Sequence, residues 1–142
     1  MLKILIAVDG SEHANRAIET VAKLRRNGLE LEATIVCVSP EPLFYGDYTA
    51  STIRGIEEDQ NRQQDTILEK SIQRAEHLGL ALSGTARAHG VIANEILRVA
   101  QELKVDQLAM GTRGMGAIGS MVLGSVAQRV IHQAPMPVLL TK

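Results

Sequence analysis

Short apolar runs alternate with longer stretches of helical periodicity along this chain, and that alternation constrains its fold more than any other feature. Residues 2–8 form an apolar run of strand length, interrupted by Lys3 and stopped by Asp9-Gly10. Ser11 predicts a helix N-cap, with Glu12 in the first turn, where the positive end of the helix dipole favours an acid. Ala14, Ala17, Ile18, Val21, Ala22 and Leu24 then recur at helical spacing. Arg25, Arg26, Asn27 and Gly28 supply the cations and the glycine that suit a helix C-terminus. A second buried strand is predicted over 31–38, ended by Ser39-Pro40-Glu41-Pro42. Residues 51–78 predict a polar helix capped near Gly79, broken or frayed across 57–65, where the pattern is polar all round. A third strand over 81–88 rests on context more than on propensity. A helix over 92–103, a strand over 105–110, a helix over 124–133 and a last strand over 137–141 complete the series.

Four strand–helix units and a closing strand require a parallel sheet covered on both faces. The expected fold is therefore α/β, a single-domain open parallel five-stranded sheet with helices on both faces, and one domain spans 1–142. A chain of 142 residues buries enough apolar surface to stand without staples. Its single cysteine, Cys37, excludes an internal disulfide and fits a reducing compartment. No apolar run approaches the roughly 18 residues of a membrane span. The N-terminal run is too short for a secretory leader and Asp9 interrupts it, so a cytoplasmic location and no membrane partner are expected. The net charge of −1 and the lack of aromatics beyond Phe44, Tyr45 and Tyr48 argue against a nucleic-acid partner, which needs a basic field or stacking surfaces.

Open parallel sheets bind ligands beyond the carboxyl ends of their strands, where the strand order reverses. If the first and fourth strands are neighbours there, Asp9-Gly10-Ser11 and residues 111–125 face one crevice, with the end of the second strand near Val38 as a third wall. Gly111-Thr112-Arg113-Gly114, nine further residues and then Gly124-Ser125 join a strand to a helix. Glycines there let backbone N–H groups approach an anion, and the helix start adds partial positive charge. No acid follows Asp106, while Arg113, Arg129 and Lys142 do. Two readings stand on the residues alone: a phosphate cradle, and a surface loop whose glycines serve only turns.

Better-known phosphate motifs are almost present. Gly114, Gly116 and Gly119 match G-x-G-x-x-G, but the acid required about 20 residues later is missing. Gly119 to Ser125 resembles a Walker A loop without its lysine. Asp9 is either a cap for the first helix alongside Ser11 or a ligand contact. Cys37 is expected as a small buried apolar residue. His13, His77, His89 and His132 lack metal-ligand spacing, and Ser125 lacks a neighbouring base, so no catalytic residue and no protein metal site is nominated. Met115 and Met121 are core filler or a lid. The 39–60 segment, with its prolines and aromatics, is the expected place for partner specificity.

Ala7-Val8-Asp9-Gly10-Ser11, Met110-Gly111-Thr112-Arg113-Gly114 and Gly124-Ser125-Val126 together resemble the universal stress protein family. The pattern G-x2-G-x9-G-[S/T] of its ATP-binding branch is matched at every position, and Pro135 with Pro137-Val138-Leu139-Leu140 resembles the family's ending. The resemblance covers essentially the whole chain. It implies an adenine nucleotide, ATP or else AMP or ADP, with Mg2+ or Mn2+ held by the phosphates. On that resemblance Gly111, Gly114, Gly124 and Ser125 hold the phosphates and ribose, and Asp9 lies by the ribose or phosphates. The Val38 backbone, with Ala7 and Val8, holds the adenine, while Met110, Thr112, Arg113 and Val126 complete the pocket. Two departures are Cys37, where the family often has histidine, and Ile92, where proline is common after Gly90. The implied role is a stress-response sensor or regulatory adaptor with slow or no ATPase activity and an unidentified protein partner. A metal-dependent ATP hydrolase and a nucleotide-independent dimeric interaction module are the alternatives. The resemblance also implies a homodimer through residues 137–141, an apolar edge strand that invites pairing.

Overall fold

A computed structural model describes residues 1–42, 46–114 and 123–142. Phe44, Tyr45 and the lid reading of Met115 and Met121 lie outside the described residues. The elements run β1 (Leu2–Ala7), α1 (Glu12–Arg26), β2 (Leu31–Ser39), α2 (Ala50–His77), β3 (Leu82–His89), α3 (Ile92–Glu102), β4 (Gln107–Gly111), α4 (Ser125–Gln133) and β5 (Val138–Thr141). They build one parallel five-stranded sheet in the order β3-β2-β1-β4-β5. The chain thus winds outward from β1 to β3 and then crosses back to β4, so the switch point lies between β1 and β4.

The local chemistry sets the element ends. Ser11 Oγ accepts the Ala14 N–H at 3.2 Å and caps α1. Gly28 and Gly79, at φ +96° and +72°, end α1 and α2 in the left-handed conformation that glycine adopts without a Cβ penalty. In both cases the next N–H reaches back to a carbonyl five residues earlier, Leu29 to Leu24 at 3.1 Å and Leu80 to Ala75 at 2.8 Å.

Two apolar layers sandwich the sheet. One packs Ala17, Ile18 and Val21 of α1 and Leu68 and Ala75 of α2 against Ile4, Ile6, Ala33 and Ile35. The other packs Ile96, Leu97 and Ala100 of α3 and Ala127 and Val130 of α4 against Leu5, Val36 and Leu108. With so few aromatics, small and branched aliphatic side chains fill both layers.

The expected break in the second helix is absent: α2 is continuous over Ala50–His77. Its polar stretch is anchored by tertiary contacts that leave no periodic apolar mark. Gln60 Nε2 donates to the Pro40 carbonyl at 3.0 Å, and Asp65 pairs with Arg87 of β3 at 2.5 Å. Gln64 is fully buried. A helix over such residues reads as solvated on all sides although one face is held to the sheet.

Candidate functional site

The β1–β4 pairing, Ile4 to Gln107 through Ile6 to Ala109, carries the ends of both strands to one place. Asp9 follows β1, and its Oδ1 accepts the Ser11 N–H at 3.0 Å. The bracing reading of Asp9 is met by one oxygen, at the start of α1, and the other oxygen lies on the side of the β4 exit. A Cβ built on Gly114 would stand 2.5 Å from Asp9 Oδ2, so the loop backbone lies directly against the carboxylate.

The three motif glycines meet different demands. Gly111 is the last residue of β4 and is buried. A Cβ there would fall 2.6 Å from His13 Cβ and 2.9 Å from the His13 carbonyl carbon, so glycine is needed to seat α1 on β4. Gly114 is needed for the approach to Asp9. Gly124 is different. It caps α4 at φ −72° and ψ 163°, a conformation open to any residue. The nearest described atoms to a Cβ there are Arg113 Cα and the Thr112 oxygen, both at 3.4 Å, which is ordinary contact. Among the described residues the fold makes no demand for glycine at 124.

Gly124 N–H donates to the Thr112 carbonyl at 2.7 Å, which sets the start of α4 beside residues 112–114. Among the described residues no side chain caps α4, and no acid lies in its first turn. The first turn of a helix carries N–H groups without intrahelical partners and a partial positive charge, the usual requirements for holding an anion. Ser125, its first residue, is exposed, and Val126 is partly buried against the α3–α4 layer.

Thr112 is engaged inside the protein: its N–H donates to the Thr141 carbonyl at 2.8 Å, and its Oγ1 lies 3.3 Å from His13 Nδ1. Thr141 Oγ1 donates to the His13 carbonyl at 2.9 Å. Met110 is a core side chain, 6% exposed, so only its backbone borders the loop. Val8 is likewise buried in the opposite layer, and Arg113 is half-buried. His13 was not nominated from the sequence; its helix-terminal position concealed a contact with residues 99 and 128 positions away.

The end of β2 adjoins the end of β1. Val36 C=O accepts the Val8 N–H at 2.9 Å, so Val36 turns its backbone groups toward β1. Strand alternation turns those of Val38 the same way, past the last residue of β1. Ala7 lies beside Val36 in the register. Cys37 lies beneath, 2% exposed. Burial, and next the Asp9 charge, push its thiol up from 9.0 to about 11, with Arg87 acting in the opposite sense. Such a thiol is the buried apolar residue expected from the sequence and no nucleophile. Among the described residues no group of three His, Cys, Asp or Glu side chains could hold a metal ion, and no helix is long and apolar enough to cross a membrane.

A parallel sheet with helices on both faces and glycines gathered at the strand ends of its switch point defines the open α/β class whose ligands sit beyond the strand ends. The chain belongs to the universal stress protein family, whose family model matches residues 1–142. A universal stress protein of Thermus aquaticus is 36% identical over 148 residues, covering 98% of this chain and 97% of the relative. The fold is that of the universal stress protein UspA from Lactobacillus plantarum, with a TM-score of 0.83 at 19% identity over 99% of this chain and 97% of that one. It is also that of an Arabidopsis thaliana member solved with AMP bound, with a TM-score of 0.70 at 18% identity over 100% of this chain and 92% of that one.

Proposed function

We propose that this chain binds an adenine nucleotide, ATP in the first place, in the β1–β4 crevice and acts as a nucleotide-dependent regulatory protein. The observation that carries the reading is Gly124: among the described residues the fold makes no demand for glycine there, at a start of α4 that no described side chain caps, where a Cβ would stand 3.4 Å from the backbone of residues 112–113. A side chain there would occupy the space a phosphate needs to reach the first-turn N–H groups. The AMP found in a solved structure of the same fold supports the same chemistry.

In this reading Gly114, Gly124 and Ser125 hold phosphate and ribose oxygens, and the Val38 backbone, with Ala7 and Val8, holds the base. Gly111, Met110 and Thr112 shape the crevice from behind, and Arg113 and Val126 border it. Asp9 offers one carboxylate to a Mg2+ or Mn2+ that the phosphates would otherwise hold, an oxygen set such ions accept. The bound cation would neutralise the repulsion between that carboxylate and the phosphates.

Denaturing the purified protein and identifying released nucleotide by chromatography tests the reading. Adenine nucleotide should be released from the wild type and be absent from Gly124→Val, whose branched side chain blocks the approach. A wild type that neither retains nor binds ATP would refute it and favour a nucleotide-independent interaction module. Hydrolysis should be slow, because no lysine of the Walker type lies in the motif. Fast turnover that Asp9→Ala abolishes would establish the metal-dependent hydrolase instead.

A further inference from the structure

We propose that Gln64 is a positioning residue for base recognition, holding the one peptide whose N–H is aimed from β2 into the crevice. The proposal rests on the adenine-nucleotide reading above.

Gln64 is 0% exposed near the end of the most polar stretch of α2. Its Nε2 donates to the Cys37 carbonyl at 2.9 Å and to the Ala88 carbonyl at 3.0 Å. Both carbonyls already belong to the β2–β3 pairing, in which Cys37 lies opposite Arg87 and Val38 opposite Ala88. The amide therefore takes up their second lone pairs from the α2 side. Two carbonyls demand two donors, which fixes which way the amide is turned.

The Cys37 carbonyl and the Val38 N–H are the two ends of one planar trans peptide. With the carbonyl held toward β3 and α2, the N–H is held toward β1, beyond the last bond of that strand at Val8. Hydrogen bonding at the carbonyl also polarises the N–H. The Val38 N–H and C=O then present a donor and an acceptor side by side. Adenine offers an acceptor and an amino donor along its Watson–Crick edge; guanine in the same pose has the two exchanged.

The two bonds tie α2 to the sheet, but only the donor end of the amide is used for that. Gln64 Oε1 is buried with no hydrogen-bond partner among the described residues, and a half-satisfied buried amide is worse for the fold than an apolar side chain of similar shape. The donor end is what the position uses.

Gln64→Met keeps the length and removes the donors. Calorimetric titration with ATP, GTP and inorganic tripolyphosphate should show ATP about tenfold weaker, the worth of one good hydrogen bond. Tripolyphosphate should stay within about twofold of wild type, because phosphate contacts at α4 are untouched. The preference for ATP over GTP should shrink accordingly, while the melting temperature without ligand holds or rises. Gln60→Ala, which removes only the tie of α2 to Pro40, should leave the preference intact. An unchanged ATP-to-GTP ratio in Gln64→Met, or equal weakening of all three ligands, overturns the proposal. A wild type that binds no ATP overturns the adenine reading itself, a separate result. Should the variant not fold, amide NMR of the wild type decides. ATP should shift the Val38 N–H and the Gln64 side-chain amide, and tripolyphosphate neither; a Val38 N–H unmoved by ATP refutes the assignment.

Discussion

Exchanging the motif glycines for alanine one at a time should separate those that build the fold from those that serve a ligand. At Gly111 the new Cβ would lie 2.6 Å from His13 Cβ and 2.9 Å from a His13 backbone carbon, against the roughly 3.5–4.0 Å of a relaxed carbon contact. Backbone cannot rotate aside, so α1 and β4 must part by about 1 Å, an overpacking that costs about 2–3 kcal/mol. For a chain of this size the melting temperature of Gly111→Ala should fall by roughly 5–10 °C. At Gly124 the same methyl meets its nearest described neighbours at 3.4 Å with φ at −72°. Replacing a glycine in a conformation alanine shares gains a little from the unfolded state, but alanine is the poorer N-cap, so Gly124→Ala should cost no more than about 1 kcal/mol and melt within roughly 3 °C of wild type. Its affinity for ATP should nevertheless fall by about tenfold or more, because the methyl stands between the phosphate and the first-turn N–H groups. Gly114→Ala should fall between the two: its clash is with Asp9 Oδ2 at 2.5 Å, a side-chain atom that moves only at the expense of the Asp9–Ser11 bond. Thermal denaturation without nucleotide and calorimetric titration with ATP read the two effects separately. Equal melting of Gly111→Ala and wild type, or equal destabilisation by Gly111→Ala and Gly124→Ala, would refute this division of labour.

Two further expectations concern Cys37 and the sheet edge. The folded Cys37 pKa of about 11 lies above the ordinary 9.0, so the stability associated with its neutral thiol is full below 9.0 and is lost as pH rises toward 11. Urea midpoints measured from pH 8 to 11 should fall more steeply for wild type than for Cys37→Ala, and parallel curves would contradict the burial argument. At the other edge, Leu108 N–H donates to Pro137 C=O and Thr112 N–H to Thr141 C=O, so residues 137, 139 and 141 face β4 while Val138 and Leu140 turn their N–H groups outward. We expect a dimer paired through this edge, with light scattering at micromolar concentration giving twice the 15.4 kDa chain mass. Leu140→Pro, which removes an outward N–H and spares the β4 pairing, should shift it toward monomer; a wild-type monomer would refute the pairing.

The succession of strands and helices could be anticipated from the alternation of apolar runs and amphipathic segments, because parallel strands need crossovers and crossovers here are helices. The spatial order β3-β2-β1-β4-β5, and with it the β1–β4 adjacency, came only from the packed sheet. The caps were equally legible: Ser11, Gly28 and Gly79 act through bonds only a few residues long. The polar half of α2 was misread as frayed because Gln60, Gln64 and Asp65 carry the composition of a solvated surface. Their partners, at Pro40, Cys37, Ala88 and Arg87, lie 20 or more positions away. His13 escaped for the same reason, since nothing near it in the chain announces Thr112 or Thr141.

From its own pattern the chain determined that it would form an open parallel α/β sheet and that a glycine loop would sit at the mouth of the fourth strand, because periodicity and glycine placement act over one or two turns. The tertiary structure decided what each glycine is for. Gly111 answers to α1, Gly114 to Asp9, and Gly124 to nothing among the described residues. That distinction depends on which backbone lies within 4 Å of a missing methyl group. Only the packed sheet, with β4 brought against β1 and both ends turned to one crevice, brings those backbones together.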